Sequence, residues 1–356
     1  MKSYPLDLLD PSHNTGLILC GMGGPDGPEA VEPFLRNLFQ DPAIFPLPRI
    51  VAGIAGRMIA RRRAPEVRKR YARISENSAT PQLQTTREQA DVLARHLSGS
   101  GRTTIPSVAM RYWSPFPDEA VADLMGNGAD QFLIVPAYPQ YSAATNGSTL
   151  IFVLDALRRL AADAKVHALA DWHLLPGYVE ALAQPVIERL SHWANDGMDV
   201  DECVLLYVAH SLPESFIRKG DPYLDRTRET IKAVHDLVTR ALEAAHPSWL
   251  AGVTGGTNPR LVFQSKVGPI RWLGPQIDEE VPRLAAAGCR RLMVQPVSFT
   301  CEHIETLLEL DIELKEQALH EGIVEFQRGP ALNLNETWLV SLANHLADVA
   351  FSAEAA

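Results

Sequence analysis

Four glutamates carry the strongest chemical signal in the chain. Within Phe299–Leu314 (FTCEHIETLLELDIEL), Glu302, Glu305, Glu309 and Glu313 recur at helical spacing. On an ideal helix turning about 100° per residue they fall within an arc of about 80°. Ile304, Leu307, Leu308, Leu310, Ile312 and Leu314 occupy most of the remaining circumference, so the pattern predicts a largely buried helix. Like charges one turn apart repel by about 0.2–0.5 kcal/mol per pair, and no Lys or Arg lies among them to offset this. A solvated acidic face is the plainer reading. A buried carboxylate row instead wants a cation, which points to a metal or proton path. His303 and Glu305 form H-x-E rather than the HExxH of zinc hydrolases. Imidazole beside carboxylate suits a borderline divalent ion such as Fe2+, bound in passing rather than caged.

A second candidate is His210, which follows the apolar run Val204–Val208 in Ala209-His210-Ser211-Leu212-Pro213. An imidazole at a strand end can exchange protons near neutral pH, although a lone His is as readily a hydrogen-bonded structural residue. Ser211 has no GxSxG frame and is not a nucleophile elbow. The Gly21-Met22-Gly23-Gly24-Pro25-Asp26-Gly27 turn would need a third glycine where Asp26 stands. A carboxylate facing a pyrophosphate disfavours nucleotide binding. That leaves a tight strand-to-helix turn, with Met22 able to point into a ligand cleft. Trp172, Trp272, Tyr71, Tyr138, Tyr141 and Phe299 also fall at loops or element ends. Most aromatics are core, yet several converging there suit a large planar ligand. The apolar, Pro-containing stretch from Pro42 runs into Arg61-Arg62-Arg63. It reads either as a surface helix with a basic end or as a lip against a membrane or a flat lipophilic ligand.

Positioning these residues requires rigid elements. Gly16–Cys20, Ser107–Tyr112, Phe132–Pro136, Val166–Ala170, Val204–Val208, Leu261–Gln264 and Leu292–Pro296 read as strands. Pro28–Phe39 and about Thr149–Ala162 read as helices between them. The alternation predicts an α/β protein of two doubly wound, Rossmann-like parallel-sheet domains with the active-site cleft between them. Functional loops then lie beyond the carboxyl ends of the strands. The expected division is 1–172 with the lip, 173–329 with His210 and the acidic helix, and 330–356 as a closing helix.

Composition narrows the classes further. The 356 residues hold 33 Lys plus Arg against 43 Asp plus Glu, a net charge of −10. Such a chain lacks the clustered cations that neutralise a phosphate backbone, so nucleic acid is not expected as a partner. Cys20, Cys203, Cys289 and Cys301 are too scattered for a disulfide framework or a thiolate zinc site. The first residues, MKSYPLDLLDPSH, are not a signal peptide, and no run approaches a spanning helix. The expectation is a cytoplasmic protein, peripheral on the inner membrane at most, through Pro42–Ile59.

Eight motifs in order then resemble one family. They are Gly21-Met22-Gly23-Gly24-Pro25, Met110-Arg111-Tyr112, Tyr138-Pro139-Gln140-Tyr141-Ser142, Ala209-His210-Ser211-Leu212-Pro213, Lys219-Gly220-Asp221-Pro222-Tyr223, Gln264-Ser265-Lys266-Val267-Gly268-Pro269, Trp272-Leu273-Gly274-Pro275 and His303-Ile304-Glu305-Thr306-Leu307. Together they resemble ferrochelatase, the lyase that inserts Fe2+ into a porphyrin to make haem, over about Leu17 to Leu339. The resemblance implies a chelatase-type fold with protoporphyrin IX and Fe2+ as substrates. It implies His210 as proton acceptor at the porphyrin centre and Glu305 opposite it or beside the metal, both within reach of the ion. His303 would support Glu305, while Glu302, Glu309 and Glu313 continue a metal or proton path. Met22, Arg62, Arg63, Tyr71, Ser78, Arg111, Tyr138, Trp272 and Phe299 match porphyrin-contacting positions. Some departures matter. Glu302 stands where the animal enzyme has Asp, and Ser75–Pro81 replaces a Gly-rich stretch. Ala143 stands at the internal cysteine of the animal iron–sulfur cluster, and no cysteine follows Cys301, so no such cluster and no cofactor beyond substrate Fe2+ is expected. The Met22 turn and the lip resemble the protoporphyrin-using form. A coproporphyrin-using enzyme and a non-catalytic porphyrin or haem carrier are the alternatives.

Overall fold

The computed structural model describes residues 4–41, 49–77, 79–99, 102–249, 259–268 and 270–351. Ser78 and residues 42–48 of the expected lip lie outside them. The chain divides into two compact units, Met1–Trp172 with Leu339–Ala356, and His173–Trp338.

In the first unit the chain runs β1 (Thr15–Gly21), α1 (Val31–Phe39), α2 (Arg49–Ala72), α3 (Gln82–Leu97), β2 (Thr104–Met110), α4 (Pro117–Gly126), β3 (Gln131–Pro136), α5 (Ser148–Leu160) and β4 (Val166–Ala168). The strands form one parallel sheet in the order β2-β1-β3-β4. β1 is buried along its whole length, which is why it reads as an unbroken apolar run: helices cover both faces of a parallel sheet. Burying side chains such as Leu17, Ile18 and Leu19 stabilises the fold by about 1.5–3 kcal/mol each. Beyond β1, Gly23 takes a φ of 79°, where a Cβ would also meet the Met110 side chain at 3.0 Å.

The second unit repeats the plan with α6 (Pro176–Asn195), β5 (Cys203–His210), α7 (Glu214–Arg218), α8 (Tyr223–Ala245), β6 (Arg260–Gln264), α9 (Ile277–Ala286), β7 (Arg291–Pro296), α10 (Ile304–Leu307), α11 (Lys315–His320) and β8 (Glu325–Arg328). Its parallel sheet has the order β6-β5-β7-β8. A last helix, α12 (Glu336–Ala350), gives most of its length to the first unit, where the Leu9 N–H donates to the Ala350 carbonyl at 2.8 Å. In both sheets the strand order reverses direction beside the first strand, so the switch points are β1/β3 and β5/β7.

The α/β architecture with two parallel sheets is as expected, with three differences in detail. β8 was not anticipated. β2 spans Thr104–Met110 rather than Ser107–Tyr112, although the Arg111 and Tyr112 N–H groups still donate to the Gly21 and Met22 carbonyls at 3.0 Å. The acidic segment is not one regular helix from Phe299. It stays non-helical to His303, forms the short α10, then a π-helical turn at Glu309–Leu314, then α11. His303 is the reason for the late start. Its backbone is extended, its ring Nδ1 accepts the Glu305 N–H at 3.0 Å, and its own N–H donates to the Thr306 hydroxyl at 3.1 Å. That reciprocal cap fixes where the helix begins. Among the described residues, no helix is long and apolar enough to cross a membrane.

Candidate active site

The β5/β7 switch point gathers the titratable groups of the second unit. His210 is the last residue of β5, and its Nε2 lies 3.5 Å from Glu305 Oε1, with side chains 35% and 17% exposed. The other ring nitrogen, Nδ1, lies 2.7 Å from the Ser211 carbonyl, which can only accept, so this nitrogen carries the donated proton. Burial opposes a charge on His210. The charge and hydrogen bond of Glu305, the Ser211 carbonyl and the charge of Glu309 outweigh it, and the pKa is pushed up to about 9. The Tyr223 hydroxyl donates to the His210 carbonyl at 2.8 Å and fixes the strand end from below.

Glu309 is held by the end of β6. The Ser265 hydroxyl donates to Glu309 Oε2 at 2.6 Å, and Gln264 Nε2 donates to the same oxygen at 3.2 Å and to the Glu305 carbonyl at 2.9 Å. Ser265 has a φ of 66°, a left-handed conformation unusual for a residue with a Cβ. Such local strain concentrates where a side chain must be aimed. A π-helical turn, itself frequent at functional sites, carries Glu309 and Glu313. The ring of Phe299 packs edge-on against His303 with centroids 4.5 Å apart. Burial, with the charges of His210 and Arg328, holds His303 below the ordinary imidazole range despite Glu305 and Glu302. A neutral ring whose Nδ1 accepts a hydrogen bond is the consistent state.

Glu302 departs from the expected row. It lies ahead of α10, and Arg328 at the end of β8 donates to its Oε1 at 2.9 Å. Burial works against its charge, but Arg328 and hydrogen bonds hold the carboxyl below the usual carboxylate range. The compensating cation missing from the acidic segment therefore comes from the edge strand β8. The hydrogen bond between His303 and Glu305 runs from the Glu305 backbone N–H to the ring. Trp272 is half-buried, its Nε1 donates to the Val267 carbonyl at 2.9 Å, and it bridges to Pro213 just beyond His210.

The first unit places its candidates around its own strand ends. Arg111, directly after β2, is buried: its Nε and Nη2 donate to Asp41 Oδ2 at 2.8 and 2.5 Å. The Tyr112 hydroxyl donates to the same oxygen at 2.6 Å, and the guanidinium carbon lies 4.3 Å from the Phe152 ring centroid. Met22 and Tyr138, after β1 and β3, are half-buried, and Asn146 donates to the Tyr138 carbonyl at 2.8 Å. On α2, Tyr71 is buried and Arg62 is exposed. Half-buried Arg63 sits 5.6 Å over the Phe39 ring. Gln264, Tyr223 and Arg328 are not among the residues the sequence points to, whereas Ser265 directly follows a strand and so falls in an expected functional loop. Gln264, Ser265 and Tyr223 lie inside family motifs, and the polar pair Gln264-Ser265 closing an apolar strand is the signal for those two.

The arrangement is thus an α/β fold with a histidine–carboxylate pair at a strand end of its second parallel sheet and a further carboxylate, Glu309, held beside it. The profile of the ferrochelatase family matches residues 14–349. A ferrochelatase from Geotalea uraniireducens is 38% identical over 331 residues, covering 93% of this chain and 96% of that protein. One from Gloeobacter violaceus is 38% identical over 337 residues, covering 92% and 95%. Ferrochelatase-1 of Arabidopsis thaliana, chloroplastic/mitochondrial, is 36% identical over 346 residues, covering 96% and 70%. The chain belongs to the ferrochelatase family, the metal chelatases of the lyase class that insert Fe2+ into a porphyrin for haem synthesis.

Proposed function

We propose that the porphyrin is protoporphyrin IX and that His210 and Glu305 together exchange its two pyrrole protons for Fe2+. The carrying observation is the 3.5 Å pair at the end of β5, continued through Glu309 on Ser265. In the reaction two pyrrole N–H bonds break, the ion gains the porphyrin nitrogens, and two protons leave. At neutral pH the resting pair already holds a proton, because the His210 pKa stands near 9. A dication arriving at Glu305 cancels the charge that retains this proton and returns the ring to its accepting form. His210 then takes pyrrole protons, and Glu309 with Glu313 passes them outward. Glu302, paired with Arg328, holds the segment rather than the ion.

Met22, Tyr71, Tyr138, Trp272 and Phe299 are read as apolar and aromatic contacts for the porphyrin ring, and Arg62 and Arg63 as partners for its propionates, while Arg111, buried on Asp41, acts through the strand end it holds. The reading needs no cofactor beyond substrate Fe2+. The buried cysteines and Ala143 speak against an iron–sulfur cluster of the animal type. It places the protein in the cytoplasm, with exposed Ile54 and Met58 of α2, beside Arg57, Arg61 and Arg62, as a peripheral membrane contact. Zinc insertion into protoporphyrin IX, followed by fluorescence, tests the core of the reading. Turnover that falls in His210→Ala and Glu305→Gln supports it, and variants indistinguishable from the wild type overturn it.

A further inference from the structure

Arg328 binds two carboxylates that bracket the reacting segment. Its Nε and Nη2 donate to Asp311 Oδ1 and Oδ2 at 2.7 and 2.6 Å, and its Nη1 donates to Glu302 Oε1 at 2.9 Å. Between those two anchors lie His303, Glu305 and Glu309. The near anchor is reinforced: the Ala331 N–H donates to Glu302 Oε1 at 2.9 Å, and the Glu302 N–H donates to Asn333 Oδ1 at 3.0 Å. The far anchor sits within the π-helical turn that carries Glu309 and Glu313. The origin of the arginine is itself fixed. Arg328 pairs with Val294 of β7, and a Cβ on the next residue, Gly329, would meet Gln295 Oε1 at 1.8 Å. The backbone next to Arg328 thus packs closely on the Gln295 side chain, and the guanidinium itself is held by its bonds to Asp311, Glu302 and the Gly329 carbonyl.

The side chains of Arg328 and Glu302 are 10% and 16% exposed. Buried ion pairs of this kind contribute little net stability, because desolvating the charges offsets most of their attraction. What a bidentate arginine does fix is geometry. We propose that Arg328 is a positioning residue for metal insertion: by tying both ends of segment 302–311 to the β7–β8 edge, it holds Glu305 against His210 and Glu309 against Ser265. The proposal rests on the reading of Glu305 and Glu309 as the reacting carboxylates.

The test measures zinc insertion by the full chain in Arg328→Met, Arg328→Lys, Glu305→Gln and the triple variant Glu302→Gln/Asp311→Asn/Arg328→Met. Melting temperature is recorded for each. Arg328→Met should lower kcat by about 10- to 100-fold, the range for residues that orient a metal-handling side chain. The porphyrin KM should change by less than about twofold, since the arginine contacts no substrate. Arg328→Lys, a point charge able to satisfy one carboxylate but not both, should fall between. The triple variant leaves no buried charge unpaired and should melt within about 4 °C of the wild type, yet remain slow. A kcat that recovers along with the melting temperature would make Arg328 a stability residue and overturn the proposal, as would wild-type kcat in Arg328→Met. Wild-type kcat in Glu305→Gln would instead remove the reading beneath it, and the clamp with it.

Discussion

The two units share one plan and use it for opposite ends. Each sheet runs second-first-third-fourth in strand order, and each therefore offers the same crevice beyond its first and third strands. In the first unit the charged group placed after the sheet, Arg111, is buried and its charge is fixed by Asp41 and Tyr112. In the second unit His210 is part-exposed, pairs with Glu305 and titrates within reach of physiological pH. Beyond the first sheet, after its edge strand β2, sits a permanent charge; beyond the second, at the end of its inner strand β5, sits a movable proton. The fold decides where a site can lie, and the residues at the strand ends decide what chemistry happens there.

That contrast can be broken or sharpened experimentally. The largest effect is expected for His210→Ala: a loss in zinc-insertion kcat of about 10²–10⁴, the usual worth of a positioned proton acceptor. Asp41→Asn in the first unit should act on stability instead. Leaving Arg111 buried without its carboxylate should cost about 3–5 kcal/mol, read from denaturant unfolding. A titration of His210 by NMR should show a midpoint near 9 that falls in Glu305→Gln, because the carboxylate is what retains the proton. An unchanged midpoint would place the cause elsewhere. Ser265→Ala removes one hydrogen bond to Glu309 and should reduce kcat by about tenfold, measured in the same zinc assay.

The pH dependence of stability should be the smallest signal and have two limbs. Burial, the largest cause in each case, holds His167 of the first unit and His235 and His303 of the second below the ordinary 6.5. Unfolded imidazoles take protons near 6.5 that the folded ones refuse, so this stability is present above 6.5 and is lost as pH falls. His210 works in the opposite sense. Its contribution is full below 6.5 and is lost as pH rises through about 9. Melting temperature should therefore fall on both sides, and Glu305→Gln should flatten the alkaline limb without flattening the acid one, since losing its charge depresses His303 further.

Most of the fold was legible because parallel strands buried on both faces leave continuous apolar runs such as Leu17–Cys20 and Val204–Val208. β8 was not, since Glu325–Arg328 contains a single apolar residue, Phe326, and forms the edge of its sheet. The acidic row was legible in part. Spacing alone cannot reveal that His303 caps the helix or that a distant arginine claims Glu302, because both depend on tertiary contacts. The same holds for Ser265, whose left-handed backbone turns its hydroxyl onto Glu309.

The central claim is that His210 and Glu305 act as one proton-exchanging unit, and a double-mutant cycle on zinc-insertion kcat tests it most directly. If they act together, His210→Ala/Glu305→Gln should be no slower than the slower single variant, since either change already disables the pair. Losses that multiply in the double variant would mean that the two residues act independently, and would contradict the account.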